Sequence, residues 1–176
     1  MALDAAIEMD MTAPDLSAAV LGEGLDPVAE DHLRAAAHAY DQDDVALKHL
    51  MEARLLAPTH PATLIGLYRF FFYKGRLEEA LSVAQTCLTR AAIDNSLPLD
   101  WRATTPADAA FGDFGAVGPR FFMFALKGYA YLSMRLGDLD ESAAAIDKLF
   151  ELDPSDKVGA GVLRDVLARR GLDDVD

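Results

Sequence analysis

Apolar residues recur at helical spacing along most of the chain, and the runs are broken by proline, glycine and clusters of acids. In the first 25 residues, Leu3, Ile7 and Met11 have helical spacing. A second short run over residues 16 to 21 stops at Gly22-Glu23-Gly24. Residues 1 to 25 are therefore expected to form an acidic arm or one or two short helices. Asp26 is placed to cap a helix whose first position is Pro27. That helix carries Leu33, Ala36, Ala37 and Tyr40 on one side. After an acidic turn at residues 41 to 44, Val45, Leu47, Leu50, Met51, Ala53 and Leu55 continue helically as far as Pro58. Pro61 opens a third helix with Leu64, Leu67 and Phe71 on one face, and Gly75 closes it in the manner of a left-handed C-terminal glycine. Leu77, Leu81, Ala84 and Leu88 mark a fourth. No β-branched, alternating stretch occurs. The expected fold is all-α.

Residues 93 to 119 break this rhythm, with Pro98, Pro106, Pro119, Gly112, Gly115 and Gly118 set among Trp101, Phe111 and Phe114. A loop of this length within one domain is often functional, and its aromatics predict that it packs onto the helices. The helical pattern resumes over residues 121 to 136, stops at Gly137, and runs from Leu139 to Leu152 before Pro154. Ser155 is expected to cap a last helix bearing Val158, Val162, Val166 and Leu167, with Arg169 and Arg170 at its negative end.

The helix pairs repeat. Asp44-Val45-Ala46-Leu47 and Glu78-Glu79-Ala80-Leu81 place their alanines 34 residues apart. Gly75-Arg76-Leu77-Glu78-Glu79 corresponds to Gly137-Asp138-Leu139-Asp140-Glu141, 62 residues on, which is one period plus a 28-residue insertion. With Leu126, Tyr129, Ala130, Ser142, Ile146, Leu149 and Pro154 in the third unit, this pattern resembles the tetratricopeptide repeat (TPR) family. The first unit matches through Ala46, Leu50, Ala53 and Pro58, the second through Leu64, Leu67, Phe71, Ala80, Ala84 and Cys87. Arg34 and Tyr68 depart from the small residue that the family places there, and Ala92 from its closing proline. The resemblance implies antiparallel helix pairs stacked in a short right-handed superhelix. Its repeats would occupy about residues 27 to 60, 61 to 92 and 123 to 156, with an insertion at 93 to 119. A capping helix at 156 to 170 and an acidic tail at 172 to 176 complete the expected single domain. A small residue lets paired helices approach closely, and stacked pairs bury a core that one pair cannot.

Charge narrows the function. With 16 Lys and Arg against 29 Asp and Glu, the net charge is −13 and the pI about 4.5. This argues against tracking a nucleic-acid backbone or an anionic membrane. No apolar run is long enough to span a bilayer, and no Lys or Arg precedes Arg34, so a cytoplasmic protein is expected. One cysteine, Cys87, excludes an intrachain disulfide and multi-cysteine metal sites. His38 followed by Asp41, Asp43 and Asp44 suggests a metal site, and Asp41 and Asp43 with Glu52 echo a calcium loop, but Val45 and Ala46 replace an oxygen ligand and the required glycine. No catalytic triad, phosphate loop or cofactor-binding pattern is present. The chain is expected to be no enzyme and to carry neither metal nor cofactor.

The resemblance implies instead a concave groove lined by the first helices of the pairs. It assigns Arg69, Phe72 and Tyr73 from the second unit and Phe124, Lys127, Tyr131, Met134 and Arg135 from the third. Val28, Asp31, Ala35 and His38 would come from the first. Trp101, Arg102, Phe111 and Phe114 are possible further contacts on the insertion. Cations beside aromatics would receive a protein or peptide of acidic and apolar character. A binding adaptor is the function expected, with a small secretion-type or assembly chaperone for one dedicated partner as the alternative. An enzyme with its site at the insertion is the remaining reading. The acidic arm, if it lay on the cationic groove, would compete with partners.

Overall fold

The computed structural model describes residues 24 to 173 except Phe114. Nearly all of the expected arm, Phe114 and residues 174 to 176 of the expected tail lie outside the described residues. Those described form seven α-helices and no strand: α1 (Pro27–His38), α2 (Asp43–Leu56), α3 (Pro61–Tyr73), α4 (Leu77–Asp94), α5 (Val117–Arg135), α6 (Leu139–Leu152) and α7 (Gly161–Asp173). Among them, no helix is long and apolar enough to cross a membrane.

Local chemistry sets the boundaries. The Asp26 carboxylate accepts from the amides of Val28 and Ala29 at 2.8 and 3.2 Å, and Pro27 occupies the first turn. Pro61 opens α3 behind His60, whose Nδ1 accepts from the Ala62 amide. Gly75 (φ 70°) and Gly137 (φ 91°) end α3 and α5 in the left-handed conformation. The next amide closes each end, Arg76 onto the Phe71 carbonyl and Asp138 onto that of Ser133. Three- and four-residue connections fold α2 onto α1, α4 onto α3 and α6 onto α5, and these neighbours pack extensively.

Two helix starts differ from the sequence expectation. Helix α5 starts at Val117, so Pro119 lies inside its first turn, where a missing amide hydrogen costs nothing. Gly118 lets this end close on α4: a Cβ there would fall 2.2 Å from the Asn95 side-chain oxygen. Helix α7 starts at Gly161 rather than after Ser155. The Asp153 carboxylate draws residues 153 to 157 into a turn, accepting from the amides of Ser155 and Lys157 at 3.1 and 2.9 Å. The Asp156 carboxylate then accepts from the amides of Ala160 and Gly161, at the actual helix start. Val158 is thus buried ahead of α7, not on it.

The segment between α4 and α5 is anchored. Trp101, in a single 3-10 turn (Trp101–Ala103), is buried with its ring 6.1 Å from that of Tyr129. Phe111 is buried with its ring 5.8 Å from Phe122. Lys148 of α6 donates to the Thr104 carbonyl at 3.0 Å, Lys157 donates to that of Gly112, and Arg102 pairs with Glu141.

Candidate functional site

The structure divides the residues expected to line one groove. On α3, Arg69, Phe72 and Tyr73 are half-buried, and Arg135 is exposed at the end of α5. Phe124, Lys127, Tyr131 and Met134 are buried, which corrects their expected place on an open surface. The reason lies in the composition of α5. Between Arg120 and Arg135 its only charged residue is Lys127, and a helix apolar on every side is buried on every side. The Lys127 ammonium donates to the Val158 carbonyl at 2.6 Å. Arg135 donates to the Tyr131 hydroxyl at 2.5 Å, and the Tyr131 ring lies 5.5 Å from that of Phe72.

An open concavity lies instead between α1 and α3, with a volume of about 780 Å³. Leu33, Ala36, Ala37 and Tyr40 form one wall, and Ala62, Ile65, Gly66, Phe70 and Tyr73 the other, with Leu50 of α2 also lining it. Gly66 is closely flanked: a Cβ there would lie 3.3 Å from Leu50 and 3.4 Å from Leu33. The volume is that of a pocket able to enclose one or two large side chains.

Charges sit at its rim. Arg34 is held by Glu30 at 2.7 Å and Asp31 at 3.1 Å. Lys74, just past α3, lies beside Tyr40 of the cleft, pairing with Asp43 at 2.7 Å, donating to the Tyr40 carbonyl and lying 4.1 Å over the Tyr40 ring. The bond to Asp43 raises the Lys74 ammonium above its ordinary range, against a smaller opposing effect of burial. Arg69 differs. Among the described residues it has no carboxylate, carbonyl or aromatic partner, although it is half-buried in the wall. A guanidinium so placed retains its full capacity for a bidentate carboxylate.

The sequence reading missed most of this site. Leu33, Ala36, Ala37 and Tyr40 show the spacing of a core stripe, and periodicity alone does not say whether a stripe meets a helix or a cleft. The available signal was Gly66, which removes a side chain from the middle of α3. Of the first-unit residues expected at the groove, Val28, Asp31, Ala35 and His38 do not line the cleft. Trp101 and Phe111 anchor the insertion and are not displayed, and Arg102 lies 4.2 Å over the Trp101 ring, engaged with Glu141. Burial pushes the Cys87 thiol up to about 12, which leaves it a packing residue rather than a nucleophile. Among the described residues no three His, Cys, Asp or Glu side chains are grouped to hold a metal ion.

No family model matches the chain, and no solved structure matches it. A curated relative from Azotobacter chroococcum mcd 1, described as an uncharacterized 19.8 kDa protein in the nifW 5′ region, is 38% identical over 127 residues. That match covers 72% of this chain and 71% of the relative. The chain therefore belongs to the same family as the 19.8 kDa protein of the nifW 5′ region.

Proposed function

We propose that the chain is a non-enzymatic protein-binding module of TPR-like architecture, whose cleft between α1 and α3 receives a partner segment bearing a carboxylate and an apolar anchor. The observation that carries this reading is Arg69, a half-buried guanidinium without a partner among the described residues, set in a mostly apolar cleft whose other charged lining residues, Glu30 and Arg34, pair with each other. The anchor enters between Leu33, Ile65 and Phe70, and the carboxylate pairs with Arg69. Rigid aromatic walls supply contact area at low entropic cost. The acidic remainder of the surface repels acidic partners elsewhere, which confines them to this cleft. The finer choice lies between an adaptor and a dedicated chaperone for one partner, and both use the same cleft in a cytoplasmic setting.

The experiment is recovery of partners with the tagged chain, followed by calorimetric titration of the isolated partner segment. Arg69→Glu is expected to weaken binding at least tenfold with unchanged melting, and wild-type affinity is expected to fall as salt rises. Full affinity in folded Arg69→Glu places the binding site elsewhere. One abundant stoichiometric partner supports the chaperone, and a multiprotein assembly supports the adaptor.

A further inference from the structure

Two histidines from neighbouring helices meet head-on. His32 of α1 and His49 of α2 are both half-buried, with their Nδ1 atoms 2.9 Å apart. We propose that this pair is a proton-counting latch between α1 and α2, closed while the two rings share at most one positive charge and opened by the second. The latch is independent of what the α1–α3 cleft binds; its control of that cleft rests on the functional reading above.

Geometry comes first. The ring centroids lie 5.2 Å apart, which is the nitrogen separation plus one ring radius on each side, so the two Nδ1 atoms point directly at one another. Such a contact is a hydrogen bond only when one Nδ1 carries a proton and the other offers its lone pair. Neutral rings meet that condition in opposite tautomers, one protonated at Nδ1 and the other at Nε2. The first added proton goes to the Nε2 of the donor ring, and the bond becomes charge-assisted and stronger. The second proton finds only the accepting Nδ1, where it sets N–H against N–H between two cations. Imidazole is the side chain that changes charge between pH 5 and 8, so the latch should open as pH falls through the lower part of that range.

The surroundings do little to offset the second charge. Among the described residues, neither imidazole has a further hydrogen bond or an ion pair. On α1, Glu30 and Asp31 are engaged by Arg34. On α2, Lys48 and Glu52 flank His49 in sequence, and neither lies within ion-pair distance of a ring. The charged residue of α3 is Arg69, in the cleft wall. The mechanical consequence follows from position. His32 and His49 stand near the middle of their helices, and α1 packs closely only on α2. Breaking the contact there releases α1, the wall that carries Leu33, Ala36, Ala37 and Tyr40 into the cleft.

The test is amide hydrogen exchange of the full chain at pH 7.5 and 5.0, corrected for the intrinsic pH dependence of exchange. Protection of the Leu33 and Ala36 amides should fall about tenfold at the lower pH, while that of Phe122 and Leu126 in α5 holds. His32→Gln and His49→Gln each leave one imidazole and should abolish the fall, whereas Glu52→Gln should keep it; melting at pH 7.5 confirms that each variant is folded. Nitrogen-15 spectra of the wild-type rings at pH 8 need no variant, and should show one of the two histidines protonated at Nδ1 and the other at Nε2. Unchanged α1 protection at pH 5.0, a fall that survives both histidine variants or is lost with Glu52, or two rings both protonated at Nε2 overturns the latch.

A second arm separates this inference from the functional reading. A synthetic acidic peptide with one phenylalanine anchor should bind about tenfold more weakly at pH 5.0 than at pH 7.5, as expected if about one molecule in ten keeps α1 in place. The histidine variants should lose that difference. Equal affinity at both pH values in a chain whose α1 is released overturns the control of the cleft. Peptide binding at neither pH removes the functional reading, while exchange and ring spectra still decide the latch.

Discussion

Helices α1 and α5 occupy comparable places in the expected repeat pattern, yet they are buried very differently. On α1 only Ala29 and Ala36 are fully buried, and Val28 remains 54% exposed. On α5 residues 121 to 134 are all buried. Helix α5 packs against α4, α6 and α7 and is covered further by the anchored Trp101 and Phe111. Helix α1 packs closely only on α2 and touches α3 lightly. On the proposed function, the difference separates two tasks. Burial on every side gives rigidity but leaves no surface for a partner, whereas the α1 wall keeps an apolar stripe beside open space. Stability should concentrate around α5, and binding and local opening around α1.

The largest expected effect breaks the α5 region. Phe122 is fully buried and its ring meets Phe111, so Phe122→Ala should destabilise by about 3–5 kcal/mol through lost transfer energy and the cavity left behind. Leu33→Ala, in the half-open cleft wall, should cost about 1 kcal/mol, because much of that side chain is not removed from water. Urea unfolding of both variants measures the contrast, and equal losses would erase the distinction between the two regions.

The next effect belongs to the turn that carries the chain from α6 to α7. Burial raises the Asp153 carboxyl, but donors from Ser155 and Lys157 more than offset it, and the group ends below its ordinary value. A depressed folded value means that this stabilisation is complete above the unfolded carboxyl range. It is lost as pH falls through the folded value, at acid pH below about 4. Asp153→Ala should cost about 2 kcal/mol at neutral pH, since it leaves two turn amides without their acceptor. Stability of the variant should then change less than that of the wild type between pH 5 and 2, a window of about three units.

Smaller again is the clamp on the insertion. Glu141 accepts from both Tyr129 and Arg102, and the Tyr129 phenol is pushed up to about 12, by burial first and by its bond to Glu141 second. Because the folded value is raised, the contribution is full below the unfolded value of about 10 and is lost as pH rises through about 12. Glu141→Gln should bring the phenol down toward 10 in an ultraviolet titration and cost about 1 kcal/mol. An unmoved titration would show that burial alone sets the phenol.

Much of the helical plan was legible because helix ends are local events. Asp26-Pro27, Pro61, Gly75 and Gly137 act through their own backbone, and each ends or starts a helix where the sequence places it. The start of α5 was misplaced because Gly118 and Pro119 read as the end of the loop, although a first-turn proline loses no hydrogen bond. The start of α7 was misplaced because two aspartate turns, at Asp153 and Asp156, outcompete the cap expected of Ser155. The site was less legible. Arg69 and Tyr73 do line the cleft, but Phe124, Lys127, Tyr131 and Met134 are buried, and that outcome depends on tertiary neighbours that spacing within one helix does not encode.

Gly66 gives the smallest effect on stability and the sharpest test of the open region. Replacing glycine by alanine inside an exposed helix gains about 1 kcal/mol from propensity. Here the new methyl would sit 3.3 Å from Leu50 and 3.4 Å from Leu33, tight enough that both side chains must give by a few tenths of an ångström. The two contributions oppose each other, so Gly66→Ala should change stability by less than about 1 kcal/mol in either direction. Binding should respond more strongly. The methyl enters the cleft between Leu33 and Leu50 and presses Leu33 toward the space that an apolar anchor requires, while Arg69, one helical turn away, is left unchanged. Weakened binding of an acidic peptide with a phenylalanine anchor, together with near wild-type melting and intact salt dependence, would place the anchor between α1 and α3. Unchanged affinity would instead place it nearer Tyr40 and Tyr73, beside Lys74.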